Sequence, residues 1–380
     1  MIQRDGGEAG RRASRRIWVG SVPVGGDAPV SVQSMTNTPT ADQAGTIEQI
    51  RRLALAGCQI VRVAVPDETA AAVLPAILRA SPLPLIADIH FDYRLALRSL
   101  AAGVAGLRLN PGNIGAAWKV GEVARAAAER RVPIRIGVNS GSLEKRLLER
   151  YGGPTAAALV ESALFHVRLL EEQGYGEIKI SLKASRVPLM LAAYRRIAGL
   201  VDYPLHLGVT EAGLPAQGVV KSAVGIGTLL AEGIGDTLRV SLTGDPVPEV
   251  AAARQILIAL ELIPGGWQLI ACPTCGRTGP GFLGLVEEVD RRLRQLPAPA
   301  GRTVIVAVMG CVVNGPGEGR AADYGIACGG DAGVLFAAGE KVARLPLAEL
   351  VDALMELLRR DWAGRSLPAD EAGQGAAGQD

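Results

Sequence analysis

Eight short apolar runs, each followed by a longer amphipathic segment, recur between residues 29 and 262. The runs are PVSVQS (29–34), QIVRVAV (59–65), PLIADIH (84–90), GLRLN (106–110), PIRIGV (133–138), EIKISLK (177–183), PLHLGV (204–209) and DTLRVSL (236–242). Helical periodicity follows in stretches such as 46–56, 69–78 and 116–130. Strand patterns alternating with helix patterns mean parallel strands joined by crossover helices. A doubly wound open sheet would give the same alternation. The count of eight and the span, close to the roughly 250 residues of a (β/α)8 barrel, favour the barrel.

A Pro-Gly-Gly break at 264–266 ends this rhythm. Beyond it come a cysteine-bearing loop, a helix near 282–295, a strand at 303–309 and a second cysteine-bearing loop. Short strands at 324–327 and 333–337 and a helix at 347–359 follow. The expected layout is a loose N-terminus (1–15), a barrel (16–264), a small α+β domain (265–362) and a disordered tail (363–380). Hydrophobic residues make up 48% and charged residues 21%, which is ample for a buried core. Aromatic residues are only 4%, so the core is aliphatic and a base-stacking platform for single strands is excluded. With 40 basic against 38 acidic residues the net charge is +2, far from a general polyanion binder. No apolar run approaches the ~18 residues of a spanning helix, and the basic start lacks the apolar core of a signal peptide. A cytoplasmic protein, bound to neither nucleic acid nor membrane, is expected.

The strands carry an anomaly. Arg62, Arg108, Arg135 and Arg239 each sit between apolar neighbours inside a run, and a fifth run carries Lys179 and Lys183. Parallel strands are covered on both faces and read as apolar throughout. An unpaired buried cation costs several kcal/mol. A single such arginine is ordinarily explained by a structural ion pair, but cations on five strands of one barrel point elsewhere. Their side chains would converge on the C-terminal mouth, where barrel active sites lie. Guanidinium forks suit phosphate oxygens, so the mouth is expected to bind a highly anionic ligand, a diphosphate. Asp88, His90, Asn110, Asn139, Thr210, Glu211 and Ser241 lie at the same strand ends. Each alone reads as a helix cap; together they read as a site.

Five cysteines are present: Cys58, Cys272, Cys275, Cys311 and Cys328. Cys272-Pro-Thr-Cys275 has the spacing of two thiolates on one metal or cluster edge. A zinc ribbon needs a second close pair, and a dithiol site needs no third cysteine. An iron–sulfur cluster suits three thiolates plus a fourth ligand better. The glycine-rich segment Met309-Gly-Cys311-Val-Val-Asn-Gly-Pro-Gly-Glu318 offers backbone close to sulfur. By residue type the fourth ligand is either Cys328 or Glu318. Cys58 reads as a buried hydrophobe. Gly279-Pro-Gly281-Phe-Leu-Gly284 matches a dinucleotide fingerprint literally, but it follows a cysteine loop rather than a strand. Electrons are therefore expected from another protein.

Several long blocks resemble one family closely: Val32-Gln-Ser-Met-Thr-Asn-Thr38, Ala87-Asp-Ile-His-Phe91, Leu107-Arg-Leu-Asn-Pro-Gly112, Gly137-Val-Asn-Ser-Gly141, Gly208-Val-Thr-Glu-Ala-Gly213, Ala271-Cys-Pro-Thr-Cys-Gly-Arg-Thr278 and the Met309–Glu318 segment. The family is that of the bacterial 4-hydroxy-3-methylbut-2-en-1-yl diphosphate synthases of the methylerythritol phosphate isoprenoid pathway. The resemblance runs from about Arg16 to Arg360. It implies a TIM barrel joined to a small domain with a [4Fe-4S] cluster on Cys272, Cys275, Cys311 and Glu318. It further implies reductive ring opening and dehydration of 2-C-methyl-D-erythritol 2,4-cyclodiphosphate. The family's diphosphate contacts fall on Arg62, Arg108, Arg135 and Lys183, with Asn110, Asn139, Thr210, Arg239 and Ser241 around them. Asp88, His90, Glu211 and Glu318 are the implied catalytic set, Glu211 as substrate contact or proton donor. Ferredoxin or flavodoxin is the implied electron donor. The implied homodimer sets one chain's cluster domain over the other's barrel. Two other readings fit the residues less well: a redox-inert barrel enzyme with a structural metal domain, and a non-enzymatic cluster carrier.

Overall fold

All eight runs form strands, and all pair in parallel. In the computed structural model, residues 10–275, 278–279, 281–299, 301–311, 321–329 and 331–362 are described. The chain divides into two units, Met1–Ile263 and Pro264–Asp380. The first opens with a hairpin, β1 (Ile17–Val19) and β2 (Val22–Val24). Barrel strands β3 (Ser31–Met35), β4 (Ile60–Ala64), β5 (Leu85–Asp88), β6 (Gly106–Arg108), β7 (Ile134–Asn139), β8 (Ile178–Lys183), β9 (His206–Leu207) and β10 (Thr237–Leu238) follow. Their spatial order is β8-β7-β6-β5-β4-β3-β10-β9. A single parallel bridge, Ile180 to Leu205, joins β8 to the β9 segment and closes the ring. Among the helices between strands are α1 (Gln43–Leu55), α2 (Glu68–Ala80), α3 (Tyr93–Ala102), α4 (Pro111–Ile114), α5 (Ala117–Arg130), α6 (Lys145–Tyr151), α7 (Ala156–Glu171), α8 (Val187–Ala198), α9 (Pro215–Ala231) and α10 (Val247–Ala259). Asp42, Asp67 and Asp92 accept from backbone N–H groups at the starts of α1, α2 and α3, which fixes where those helices begin.

The N-terminal end of the barrel is closed by two devices. Ile17, Val19 and Val24 of the hairpin bury against Ile60 and Ile86. Residues 10–15, expected from composition to be loose, are tied down by the arginines that gave that composition. Arg11 donates to Ala28 O and Asp236, Arg12 to the carbonyls of Ala198, Val201 and Tyr203, and Ser14 to Asp236.

The second unit is a five-stranded mixed sheet, β11 (Gly266–Ala271), β12 (Thr303–Met309), β13 (Tyr324–Gly329), β14 (Ala332–Ala337) and β15 (Glu340–Pro346), in that order. The first three run parallel and the last two antiparallel. Helices α11 (Phe282–Leu293) and Leu347–Trp362 contribute the buried residues Val289, Leu293, Leu350, Leu354 and Leu358 to the cluster that covers the sheet. Among the described residues no helix is long and apolar enough to cross a membrane.

Candidate active site

Because side chains alternate along a strand, residues two apart share the barrel interior. Register places Met35 beside Arg62, Asp88 beside Arg108, Arg108 beside Arg135, Arg135 beside Lys179 and Asn139 beside Lys183. Arg62, Arg108, Arg135, Lys179 and Lys183 are all buried, and Arg239 is only 15% exposed at its side chain. Six basic side chains therefore share one interior, against the buried carboxylates Asp88, Glu249 and Asp236. So many buried bases against three acids leave an imbalance that a bound anion would offset.

Asp88 organises one side of the mouth. It takes a 3.1 Å bond from Arg108 Nη1 and faces Arg62 Nε at 3.7 Å and His90 Nε2 at 3.6 Å. Burial alone would raise its pKa. Arg62, the bond with His90, and Arg108 overcome that and hold Asp88 ionised, well below the usual carboxylate range. Burial pushes Arg62 down to about 10 despite Asp88. Arg62 also lies against the Met35 thioether, with Nε and Nη2 at 3.1 and 2.9 Å from sulfur. Arg108 Nη2 donates to Gly137 O at 3.0 Å. A Cβ at Gly137 would stand 2.7 Å from Arg108 Nε, so glycine there makes room for the guanidinium. Likewise a Cβ at Gly208 would meet Lys183 Nζ at 2.8 Å. Arg135 donates to Ser181 Oγ, while its Nε and Nη2 have no protein partner among the described residues. Burial first, then Arg239, Arg135 and Arg62, push the Lys183 pKa well down.

On the other side, Glu249 reaches in from α10. Its carboxylate faces Arg239 Nε at 3.3 Å and accepts from Leu242 N at 2.9 Å and from Ser34 Oγ at 3.4 Å. Glu249, Met35 and Ser181 were missed from sequence. Glu249 lies in a helix, where nothing in the local pattern points it at the mouth. Met35 at least stands inside one of the family-like blocks.

The helix-cap alternative fails where it can be checked. Asn110 and Asn139 precede short helical turns but make no side-chain cap bond. Asn110 instead pairs with Gly137, donating to its carbonyl at 3.0 Å and accepting from its N–H at 2.9 Å. Asn139, Thr210 and Ser241 are half-buried. His90 is exposed, with Arg108 Nη1 against its ring at 3.3 and 3.2 Å from the two nitrogens. Glu211 is exposed and has φ +52°, a left-handed conformation uncommon outside glycine. His166 on α7 accepts from Gly112 N at 3.0 Å and faces Glu144 at 3.3 Å, so it anchors the α4 turn that follows β6.

In the second unit, Ala271 pairs with Val308, so β11 and β12 end side by side. Cys272 leaves β11, and Cys311 follows β12 by two residues. Gly310 N–H donates to Cys272 Sγ at 3.0 Å, the backbone contact that stabilises a thiolate ligand. A Cβ at Gly310 would meet Thr278 at 2.9 Å, so only glycine brings that N–H in. Cys275 is exposed, and its N–H donates to Thr278 Oγ1 at 3.0 Å. Glu318 lies outside the described residues. Among the described residues no three Cys, His, Asp or Glu side chains already converge on one metal position. The donor set nonetheless fits a cluster: thiols on loops leaving adjacent parallel strands, with a glycine N–H aimed at one sulfur. Cys328 is half-buried, with its pKa raised by burial and by Cys272. Burial pushes the Cys58 thiol up to about 11, as an inert core residue should be.

Comparison with known proteins agrees across both units. Residues 14–254 match the GcpE TIM-barrel domain and residues 268–360 the GcpE protein C-terminal domain. The chain is 63% identical over 342 residues to the 4-hydroxy-3-methylbut-2-en-1-yl diphosphate synthase (flavodoxin) of Geobacter sulfurreducens, covering 90% of this chain and 96% of that one. Proteins of the same name from Clostridium acetobutylicum (54% over 345 residues, 91% and 98% covered) and Symbiobacterium thermophilum (53% over 353 residues, 93% and 94% covered) are also similar. With both domains matched and the relatives spanned almost end to end, the chain belongs to the GcpE family.

Proposed function

We propose that this chain is an iron–sulfur oxidoreductase that converts 2-C-methyl-D-erythritol 2,4-cyclodiphosphate to 4-hydroxy-3-methylbut-2-en-1-yl diphosphate. Two electrons and two protons enter, the ring C–O bond breaks, and one water leaves. The observation that carries the reading is the cation excess inside the barrel: Arg62, Arg108, Arg135, Lys183 and Arg239, with Asp88 and Glu249 as their buried carboxylate partners. A cyclic diphosphate supplies the missing negative charge. Its phosphate oxygens take the unpartnered Nε and Nη2 of Arg135 and the Lys183 amine. These donors also stabilise the charge that gathers on the leaving phosphate oxygen as the ring opens.

Asp88 and Glu249 orient the guanidinium forks, and Asp88 does not exchange protons, since its arginine partners keep it ionised. Asn110 fixes the backbone at Gly137 under Arg108. Asn139, Thr210 and Ser241 surround the ligand at the strand ends. Glu211, exposed at the rim, donates the proton to the departing hydroxyl, and His90 contacts the substrate beside Asp88. Cys272, Cys275, Cys311 and Glu318 would hold a [4Fe-4S] cluster. Bound there, the cluster supplies single electrons and a Lewis-acidic iron, most readily at the glutamate-held position, where oxygen is exchanged more easily than thiolate. The natural donor is a small electron-carrier protein, flavodoxin or ferredoxin, and the enzyme works in the cytoplasm. The family resemblance also supports a homodimer in which one chain's cluster domain serves its partner's barrel.

Anaerobic turnover of the cyclodiphosphate with a strong reductant tests the activity; absence of product from iron-replete protein overturns it. Mixing an Arg62→Ala chain with a Cys272→Ser chain tests the dimer. Recovered activity in the mixture is expected, and mixed dimers without activity overturn service in trans.

A further inference from the structure

Beneath the arginines lies a second polar layer that the reaction does not use. Lys179 is fully buried on β8, directly opposite Arg135 on β7. His206, Thr237 and Ser31 stand side by side on β9, β10 and β3, with Gln33 one step further along β3. Among the described residues, Lys179 Nζ, both side-chain polar atoms of Gln33, both ring nitrogens of His206, Thr237 Oγ1 and Ser31 Oγ lack a protein partner. Buried polar atoms are satisfied in more than nine cases of ten, so a layer like this is a place for water rather than a dry core. Two cations held opposite each other in such a place repel. The guanidinium starts from the higher pKa and keeps its proton; the amine is the one that yields.

We propose that Lys179 is a positioning residue that sheds its proton above neutral pH in the free barrel and takes one up from solvent when the diphosphate enters above it. The inference rests on the diphosphate binding at the arginine layer. Phosphate oxygens that accept from Arg135 Nε and Nη2 cancel the charge that had discouraged protonation of Lys179. The charged Lys179 then backs the arginine against the bound anion. The groups facing Lys179 are Arg135 on β7, Arg62 on β4, His206 on β9 and Asp236 ahead of β10. Burial, then Arg135, lower its pKa to about 7, with Asp236 opposing. His206 is itself driven well down by burial and by these cations, so it stays neutral.

The test is calorimetry of cyclodiphosphate binding to oxidised, anaerobically purified holoenzyme without reductant, in buffers of different ionisation enthalpy from pH 6 to 9. Lys183 touches the ligand and is also shifted, so Lys183→Arg is used to fix its charge. In that background, uptake of close to one proton is expected at pH 8, fading toward pH 6, where an amine titrating near 7 is already protonated. Adding Lys179→Met, or Lys179→Gln if Met does not fold, is expected to abolish the uptake and flatten the pH dependence of Kd above 7. Uptake that survives loss of Lys179, or no uptake in the Lys183→Arg protein, overturns the proposal. If Lys183→Arg binds too weakly, the comparison of wild type with Lys179→Met carries the test, with a difference of about one proton expected and none overturning it. Failure of the cyclodiphosphate to bind wild type overturns instead the assignment of the mouth as a diphosphate site.

Discussion

The barrel mouth and the cysteine loops prepare their chemistry in opposite ways. In the barrel, the charged groups are mounted inside strands and held by Asp88, Glu249, Ser181 and the Gly137 carbonyl, with room cleared by Gly137 and Gly208. These groups hold one another through strand-mounted contacts that need no ligand. In the cysteine unit, Cys272 and Cys311 are half-buried and Cys275 is exposed, all on loops, with Gly310 N–H hydrogen-bonded to the Cys272 sulfur. Such ligands are gathered by the metal, and binding and local order arrive together. A strand-built site tolerates little displacement. A loop-built one depends on its metal.

The sharpest break of that comparison is Cys272→Ser. Turnover should fall to background and iron and sulfide content should collapse, while calorimetry still finds cyclodiphosphate binding in the barrel. Loss of binding too would mean the two regions are not separately built. Arg135→Met should do the converse. Removing a buried charged hydrogen-bonding partner costs about 2–5 kcal/mol, roughly thirtyfold or more in kcat/KM, with cluster absorbance and iron content unchanged. Gly137→Ala adds only a methyl, yet that carbon would stand 2.7 Å from Arg108 Nε. A roughly ten- to hundredfold loss in kcat/KM is expected from a displaced guanidinium, whereas Gly199→Ala, with nothing within 4 Å, should leave kinetics alone.

The smallest effect is on stability. Lys179 has a folded pKa depressed to about 7 from 10.5, so the unfolded chain holds the extra proton between those values. Its burden on the fold is greatest below pH 7 and fades as pH rises toward 10.5. Lys179→Met should therefore raise stability, by about 1–4 kcal/mol near neutrality, and the gain should shrink in denaturant titrations at pH 9 to 10. An equal gain at every pH would contradict the depressed pKa.

The barrel was legible because its eight runs are aliphatic and each alternates with an amphipathic segment, and parallel burial leaves little ambiguity about their identity. The arginines were legible for the same reason, as exceptions to a rule that otherwise held. Three elements were not. The β1–β2 hairpin has three-residue strands with Pro23 in one of them, and β11 begins inside the Pro-Gly-Gly break. β15 reads as charged because it is an edge strand, mostly exposed. Glu249 was invisible for a deeper reason. Its role depends on α10 folding back so that a first-turn carboxylate meets Arg239, a tertiary fact with no local signature. The glutamate expected as fourth cluster ligand rests on resemblance alone, since Glu318 lies outside the described residues.

One joint in the barrel has a kinetic consequence. β9 and β10 are two residues long, and the ring closes through the Ile180–Leu205 bridge alone. Lys179 and His206 are the immediate neighbours of that bridge, one on each side of the seam. Short pairings open at lower free energy than long ones, so amides at Ile180 and Leu207 should exchange with deuterium before those of β4 or β7. Each opening of that bridge would expose the backbone on either side of Lys179 and His206. The breathing of the seam is then one clock that can set how fast the charge buried beside it answers what arrives at the mouth.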